Sequence, residues 1–406
     1  MTALGVITRP FSWPEAVWAV LGAFVLMALG LIGLPEAWMG VVKGLDVYLF
    51  LVGMMLLSEL ARREGLFDWL ASVATSHAKG SPVRLFILIY CVGIVVTVFL
   101  SNDATAVVLT PAVYAACRAA KVKHPMRYLL ICAFIANAAS FVLPISNPAN
   151  LVIFGGGAMP PLRQWLTTFT LPSIVSIVVT FLMLNWTQRR VIAADTVAKE
   201  IKEVELTTTA KLSAFGLCCA AMLLLAASAL NLDLGLPTFV SGCLTTVAIL
   251  LVSRQSPAGT LKDISWSVLP LVAGLFIVVE ALNETGLIDR LARYLSEGAA
   301  NAPLQTAAAA GTIVALASNL VNNLPSGLVA GSAVQAADVS DKIAGAVLIG
   351  VDLGPNLSIT GSLATILWLS AMRREGLRIG AWSFLKIGVV AMTPALILSL
   401  ATLILL

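Results

Sequence analysis

The stretch FLSNDATAVVLTP, residues 99–111, decides how the rest of the chain is read. Apolar residues enter and leave it, yet Ser101, Asn102, Asp103 and Thr105 occupy its centre and Pro111 follows. The surrounding run, 83–119, is too apolar for a solvated loop. A plain membrane span does not fit either, because lipid offers no partner to backbone groups freed by a break. The stretch reads as helix–break–helix, a re-entrant hairpin whose polar tip is satisfied by protein or water rather than lipid.

Three more stretches share this character. ASNLVNNLPSG (317–327), inside the apolar run 303–337, carries Ser318, Asn319, Asn322, Asn323, Pro325 and Ser326 and reads as a second hairpin tip. NAASFVLPISNPANLVIFGGG (137–157) and IGVDLGPNLSITGSLAT (349–365) interrupt the apolar segments 128–154 and 343–371. These two read as broken transmembrane helices. The first holds Asn147 and Asn150, the second Asp352, Asn356 and Ser358. Unbroken spans are expected near 15–34, 46–62, 166–187, 212–230, 237–253, 266–284 and 379–405, with amphipathic interfacial helices at 65–79 and 286–297.

Composition supports a polytopic membrane protein. The 406 residues are 59% hydrophobic and 11% charged, against about 25% charged in soluble domains. The start of the chain lacks the charged region and cleavage site of a signal peptide, so it is expected to lead straight into the first span. The six cysteines sit in apolar runs without CxxC spacing, which argues against disulfides and structural zinc. No phosphate-binding loop, cofactor motif, catalytic constellation or nucleic-acid-binding pattern is present. A membrane enzyme or receptor is therefore the weaker class.

The chain also repeats itself. SELARREGLFDWLA (58–71) resembles VEALNETGLIDRLA (279–292), matching Glu59, Gly65, Asp68 and Leu70 with Glu280, Gly286, Asp289 and Leu291 at an offset of 221 residues. The same offset carries Asn102 onto Asn323. With re-entrant hairpins and a cytoplasmic N-terminus, most Arg/Lys clusters fall inside, including Arg62/Arg63, Arg118–Arg127 and Arg373–Arg378; Arg290, Arg293 and Lys342 are exceptions, and the loop 35–45 lies outside. The count gives two halves of inverted topology, 1–187 and 212–406, joined by the basic linker 188–211.

Paired breaks in two halves predict a midplane site, where half-helix ends and Asn/Ser side chains meet a solute. The candidate substrate contacts are Ser101, Asn102, Asn147, Asn150, Asn322, Asn323, Ser326, Asn356 and Ser358. Asp103 and Asp352 are the acids within these stretches, and an intramembrane acid is a functional residue by default. They are expected to couple transport to protons or to another cation, although Asp103 could instead cap the second hairpin arm. Glu59, one turn before Arg62 and Arg63, is expected in an interfacial ion pair.

At these motifs the sequence resembles the ArsB arsenite permeases of the ion-transporter superfamily, which includes the NhaD sodium/proton antiporters and dicarboxylate carriers. NNLPSGLVAG (322–331) and DLGPNLSITGSLATILWL (352–369) carry the resemblance most specifically; SNDATAVVLTP and SNPANLVIF fit the wider pattern. Such permeases usually have a further N-terminal span, for which residues 1–14 are too short. The resemblance implies an elevator-type transporter of the bacterial inner membrane that exports trivalent arsenic and antimony in exchange for protons. It also raises a homodimer and an arsenite-stimulated ATPase subunit as partners. As(OH)₃, a neutral triol, suits Asn/Ser groups, and no Arg lies in the four stretches. A sodium/proton antiporter of the same fold is the alternative. Sodium-driven uptake of an oxyanion or dicarboxylate fits less well, for want of a basic group.

Overall fold

The computed structural model describes residues 14–154, 159–198, 204–254 and 256–406, and every regular element among them is a helix. The first part comprises α1 (Glu15–Ala28), α2 (Leu34–Lys43), α3 (Leu45–Arg63), the amphipathic α4 (Leu66–His77) and α5 (Pro82–Phe99). After a break come α6 (Asn102–Ala104), a π-helical turn (Thr105–Leu109) and α7 (Thr110–Ala119). A second break, holding a 3₁₀ turn at Pro144–Ser146, separates α8 (Met126–Ala138) from α9 (Pro148–Phe154), and α10 (Leu162–Ala193) follows. The remainder begins with α11 (Thr208–Ala229), α12 (Gly235–Ser253), α13 (Pro257–Asp263), α14 (Val268–Glu284) and α15 (Leu287–Asn301). It continues through α16 (Pro303–Val321), α17 (Asn323–Ala337), α18 (Asp341–Leu353), a 3₁₀ turn at Gly354–Leu357, α19 (Leu363–Arg374) and α20 (Ala381–Leu405).

Six of these helices, α5, α10, α11, α12, α16 and α20, are long and apolar enough to cross a bilayer. Two bent pairs qualify when joined: α2–α3, bent by 46°, and α13–α14, bent by 43°. Residues 35–45, expected to form an outer loop, are instead largely the helix α2. Pro35 presets its first turn, and its small residues Ala37 and Gly40 let it lie close against α14. Leu34 and Trp38 are left 77% and 69% exposed, a surface that suits lipid better than water.

The 221-residue offset recurs in the backbone. It relates the starts of α4 and α15 (Leu66, Leu287), of α5 and α16 (Pro82, Pro303), and of the second arms (Asn102, Asn323). Gly65 and Gly286, one residue before α4 and α15, both take left-handed φ, +76° and +72°. A Cβ is strained there, which is why glycine stands at both turns. In each broken apolar run the chain folds back: α7 lies against α4, beside which α5 begins, and α17 lies against α15 and α16.

Close helix approach is set by small residues, as is common in membranes. A Cβ on Gly242 of α12 would stand 2.8 Å from the Gly53 carbonyl of α3, and one on Gly311 of α16 would stand 2.7 Å from the Ala346 carbonyl of α18. The two broken helices form the centre of the fold, with residues 128–141 and 343–356 all buried. The arms cross between the two parts: α17 packs on α9, and α19 packs on the π-helical turn. Trp368 of α19 donates to the Leu129 carbonyl of α8 at 2.9 Å, and Phe134 stacks on Phe384 with ring centres 5.1 Å apart.

Candidate functional site

The breaks survive at the centre because side chains occupy their free backbone groups. In the first, Asn150 Nδ2 faces the carbonyls of Ser140, Leu143 and Pro144 at 3.0, 3.3 and 3.2 Å. Trp165 and Ser176 of α10 donate to the carbonyls of Phe141 and Ala138 at 3.2 and 2.8 Å. In the second, Asn319 Nδ2 donates to the carbonyls of Gly354 (2.9 Å) and Ala315 (2.8 Å). Its Oδ1 lies where a Cβ on Gly361 would come within 2.7 Å, so the position holds glycine.

Two side-chain pairs join the breaks to each other. Asn147 Nδ2 donates to Asp352 Oδ1 at 2.7 Å, while Asn147 Oδ1 accepts from the Ala149 N–H at 3.0 Å. Asn137 Nδ2 donates to Asn356 Oδ1 at 3.0 Å and to Thr365 at 3.3 Å; Asn356 in turn donates to the Phe134 carbonyl at 3.0 Å. Asp352 and Asn137 each occupy the penultimate position of the helix entering a break. Asp352 is fully buried, its Oδ2 without a hydrogen-bond partner among the described residues, and the Ser140 hydroxyl donates to the Asn137 carbonyl at 2.7 Å.

At the hairpin tips the second arms are capped alike. Ser101, in extended backbone, accepts from the Ala104 N–H at 3.1 Å. Asn322, at the corresponding position, accepts from the Leu324 N–H at 3.3 Å and holds φ +75°, ψ +155°. That region is normally reserved for glycine, so the second tip carries strain of about 1–3 kcal/mol. Asn322 Nδ2 reaches the Thr360 carbonyl at 3.3 Å, which ties the tip to the second break. Asn102 Oδ1 is met by the Asp103 N–H at 2.8 Å.

The tips and the first break enclose a cavity of about 10 Å³, room for one water, lined by Asn102, Asp103, Asn147, Asn323, Pro148 and Leu363, with Leu51 of α3 and Val268 of α14 on the facing wall. Beside it lies a cavity of about 90 Å³, sharing Leu51, Asp103, Pro148 and Val268 and adding Ser101, Met54, Met55 and Ser58. Glu59 and Asp263 stand at its rim. Both are paired: Arg62 bonds Glu59 at 2.6 and 2.8 Å, and Arg62 and Arg63 approach Asp263 at 3.1 and 3.3 Å. Glu59 is thus in the expected ion pair, while its counterpart Glu280 takes Lys43 of α2 at 2.6 Å. Among the described residues no Lys or Arg lines either cavity. Asn323 Oδ1 is buried without a partner among the described residues, an acceptor beside the Asp103 carboxylate.

The sequence-derived candidates divide by position. Asn102, Asp103, Asn147 and Asn323 meet at the small cavity, and Ser101 joins through the larger one. Asn322 lines a further space of about 10 Å³ next to Leu324 and Leu363. Asn150 and Asn356 are braces within the breaks, and Ser358 faces Thr360 at 3.4 Å. Ser326 borders a separate apolar cavity. Asp352 stands behind Asn147 and reaches the cavity through it. Leu51 and Val268 were not among the candidates, because an apolar residue in a span bears no mark that it faces a site.

An all-helical fold with polar helix breaks facing a central cavity defines a multi-pass membrane transporter. Solved structures agree on the fold: the YdaH transporter of Alcanivorax borkumensis (TM-score 0.54, 16% identity, 91% of this chain and 86% of that one) and MtrF of Neisseria gonorrhoeae (TM-score 0.52, 13% identity, 94% and 84%). The chain belongs to the CitMHS family, described as citrate transporters, whose pattern matches residues 3–353. Among its relatives, the arsenical pump membrane protein of Escherichia coli K12 is 26% identical over 99% of this chain and 96% of its own length. That of Yersinia enterocolitica is 26% identical over 97% and 92%. An uncharacterized transporter of Mycobacterium tuberculosis is 25% identical over 87% and 84%.

Proposed function

We propose that this protein exports trivalent arsenic and antimony, as the neutral hydroxides, in exchange for protons. The observation that carries this reading is the polarity of the cavity pair. It offers the Asp103 carboxylate and the unpartnered Asn323 oxygen as acceptors, and no cationic side chain among the described residues. A triol donates hydrogen bonds to such groups. Citrate would bring carboxylates against a carboxylate in a low-dielectric site, where like charges repel strongly, and the 90 Å³ cavity is small for it. The likeness to arsenical pump membrane proteins over 99% of the chain supports the same substrate.

In this reading Asp103 exchanges its proton for the solute at the cavity, and Asp352 holds Asn147 in place. The halves 1–187 and 212–406 are inverted repeats, the linker 188–211 and the N-terminus are cytoplasmic, and the hairpins and broken helices move as one unit against α3 and α14 in the inner membrane. The test is As(III) uptake into everted vesicles under an imposed proton gradient. Uptake by the wild type and its loss in Asp103→Asn are expected. Citrate uptake, or sodium-dependent proton flux with no As(III) movement, would overturn the proposal. The second outcome would install the antiporter reading, for which the cation-free Asp103 is the specific attraction.

A further inference from the structure

α15 lies outside the machinery just described, yet it borders a large hollow near the second hairpin. Its buried residues are Ile288 and Ala292, while Arg290, Arg293 and Tyr294 are exposed. Between its Leu291–Leu295 edge, α14 and α16–α17 is an apolar cavity of about 710 Å³. On α16 the first turns present small side chains to the hollow, Thr306, Ala309 and Ala310. It follows one face of α16 from Thr306 through Ala310 and Ile313 to Val321. At 1.5 Å per residue that is a groove roughly 22 Å long. Its far end, at Val321, Pro325 and Ser326, adjoins the hairpin tip.

We infer that this groove binds one glycerophospholipid, with an acyl chain along α16 and the phosphate on Arg290. The dimensions suit a chain: one leaflet of hydrocarbon is roughly 15 Å deep, half of a bilayer core. The groove is lined by α14, α15, α16 and α17, together with Val347 of α18. The amphipathic α15 at its start, with Tyr294 on the groove and 73% exposed, has the character of an interfacial helix. Arg290 stands one turn from Tyr294 on the same side. Its neighbours on adjacent turns are Gly286, Leu287, Arg293 and Tyr294, with no carboxylate among them, whereas Arg293 lies four residues from both Asp289 and Glu297. Arg290 makes no ion pair among the described residues. This unbalanced guanidinium is one of the three cations that break the positive-inside pattern, and a lipid phosphate accounts for its place.

The experiment uses the full chain, purified in mild detergent and stripped of lipid, titrated with phosphatidylglycerol and read by native mass spectrometry. The expected result is saturation at one tightly held lipid per chain. The half-saturating concentration should rise at least tenfold in Arg290→Gln and in Ala310→Trp, which fills the groove, and stay unchanged in Arg254→Gln, an exposed arginine elsewhere. Ala330→Leu narrows the groove from the opposite wall and replaces Ala310→Trp should the latter fail to fold. A midpoint unchanged in either the arginine or the groove variant, or binding that never saturates at one, overturns the assignment.

Discussion

Asn150 is the most informative side chain to remove. It is fully buried, and its amide nitrogen serves the carbonyls of Ser140, Leu143 and Pro144. Two hydrogens are shared among three acceptors, so Asn150→Ala strands about two hydrogen bonds' worth of buried carbonyl. An unsatisfied buried group costs about 1–3 kcal/mol. Interhelical bonds in membranes average only about 0.6 kcal/mol, because alternative partners are found. The Leu143 carbonyl keeps the Ser146 N–H at 3.1 Å, whereas those of Ser140 and Pro144 are left in irregular backbone, so the larger figure governs and a loss of about 2–6 kcal/mol is expected. Asn150→Asp keeps the shape but offers at most one donor, and that only when protonated, so it should also destabilise the protein. The assay is reversible unfolding by denaturing detergent in mixed micelles, with Asn301→Ala as control, since the Asn301 amide bonds its own helix on the exposed surface. As(III) transport should fall in parallel, because Asn147 and Pro148 line the cavity a few residues away. An Asn150→Ala protein within roughly 0.5 kcal/mol of the control, below one net hydrogen bond, would refute the claim that this side chain sustains the break.

Three further outcomes are expected. Asp352→Asn retains an acceptor for Asn147, so the protein should fold, bind As(III) and keep the pH dependence of transport that Asp103 sets; Asp352→Leu should lose folding and binding, read by equilibrium binding and vesicle flux. Gly350→Val drives a side chain into the Gly311 backbone at the α16–α18 crossing, where overpacking costs about 1–3 kcal/mol, measurable in the same unfolding assay. Gly65→Ala and Gly286→Ala meet open space but a strained φ, so each should cost about 1–2 kcal/mol, and unequal losses would argue against equivalent turns.

The breaks were legible because Asn, Pro and Gly have no reason to cluster inside apolar runs unless the helix stops there. Helix α2 was not, since LPEAWMGVVK mixes charge and glycine in the manner of a loop, and only its packing on α14 makes it helical. The candidate site was legible in kind more than in detail. Sequence marks an amide at a break, but not whether it faces a cavity, as Asn323 does, or its own backbone, as Asn150 does. The pairing of Asn137 with Asn356 could not be read, since nothing local links positions 219 residues apart.

The bond between Asn147 and Asp352 spans 205 residues, and this bears on how the protein is made. At a ribosomal pace of about 5–20 residues per second, Asn147 emerges roughly 10–40 s before its partner exists. Through that interval the first broken helix must hold its polar groups in the membrane without the contacts that later satisfy them. Residues 1–198, which keep α10 whole, should therefore be short-lived and sensitive to membrane proteases when synthesised alone. Supplying residues 199–406 from a second message should rescue them, as the late part delivers the acid the early part is waiting for.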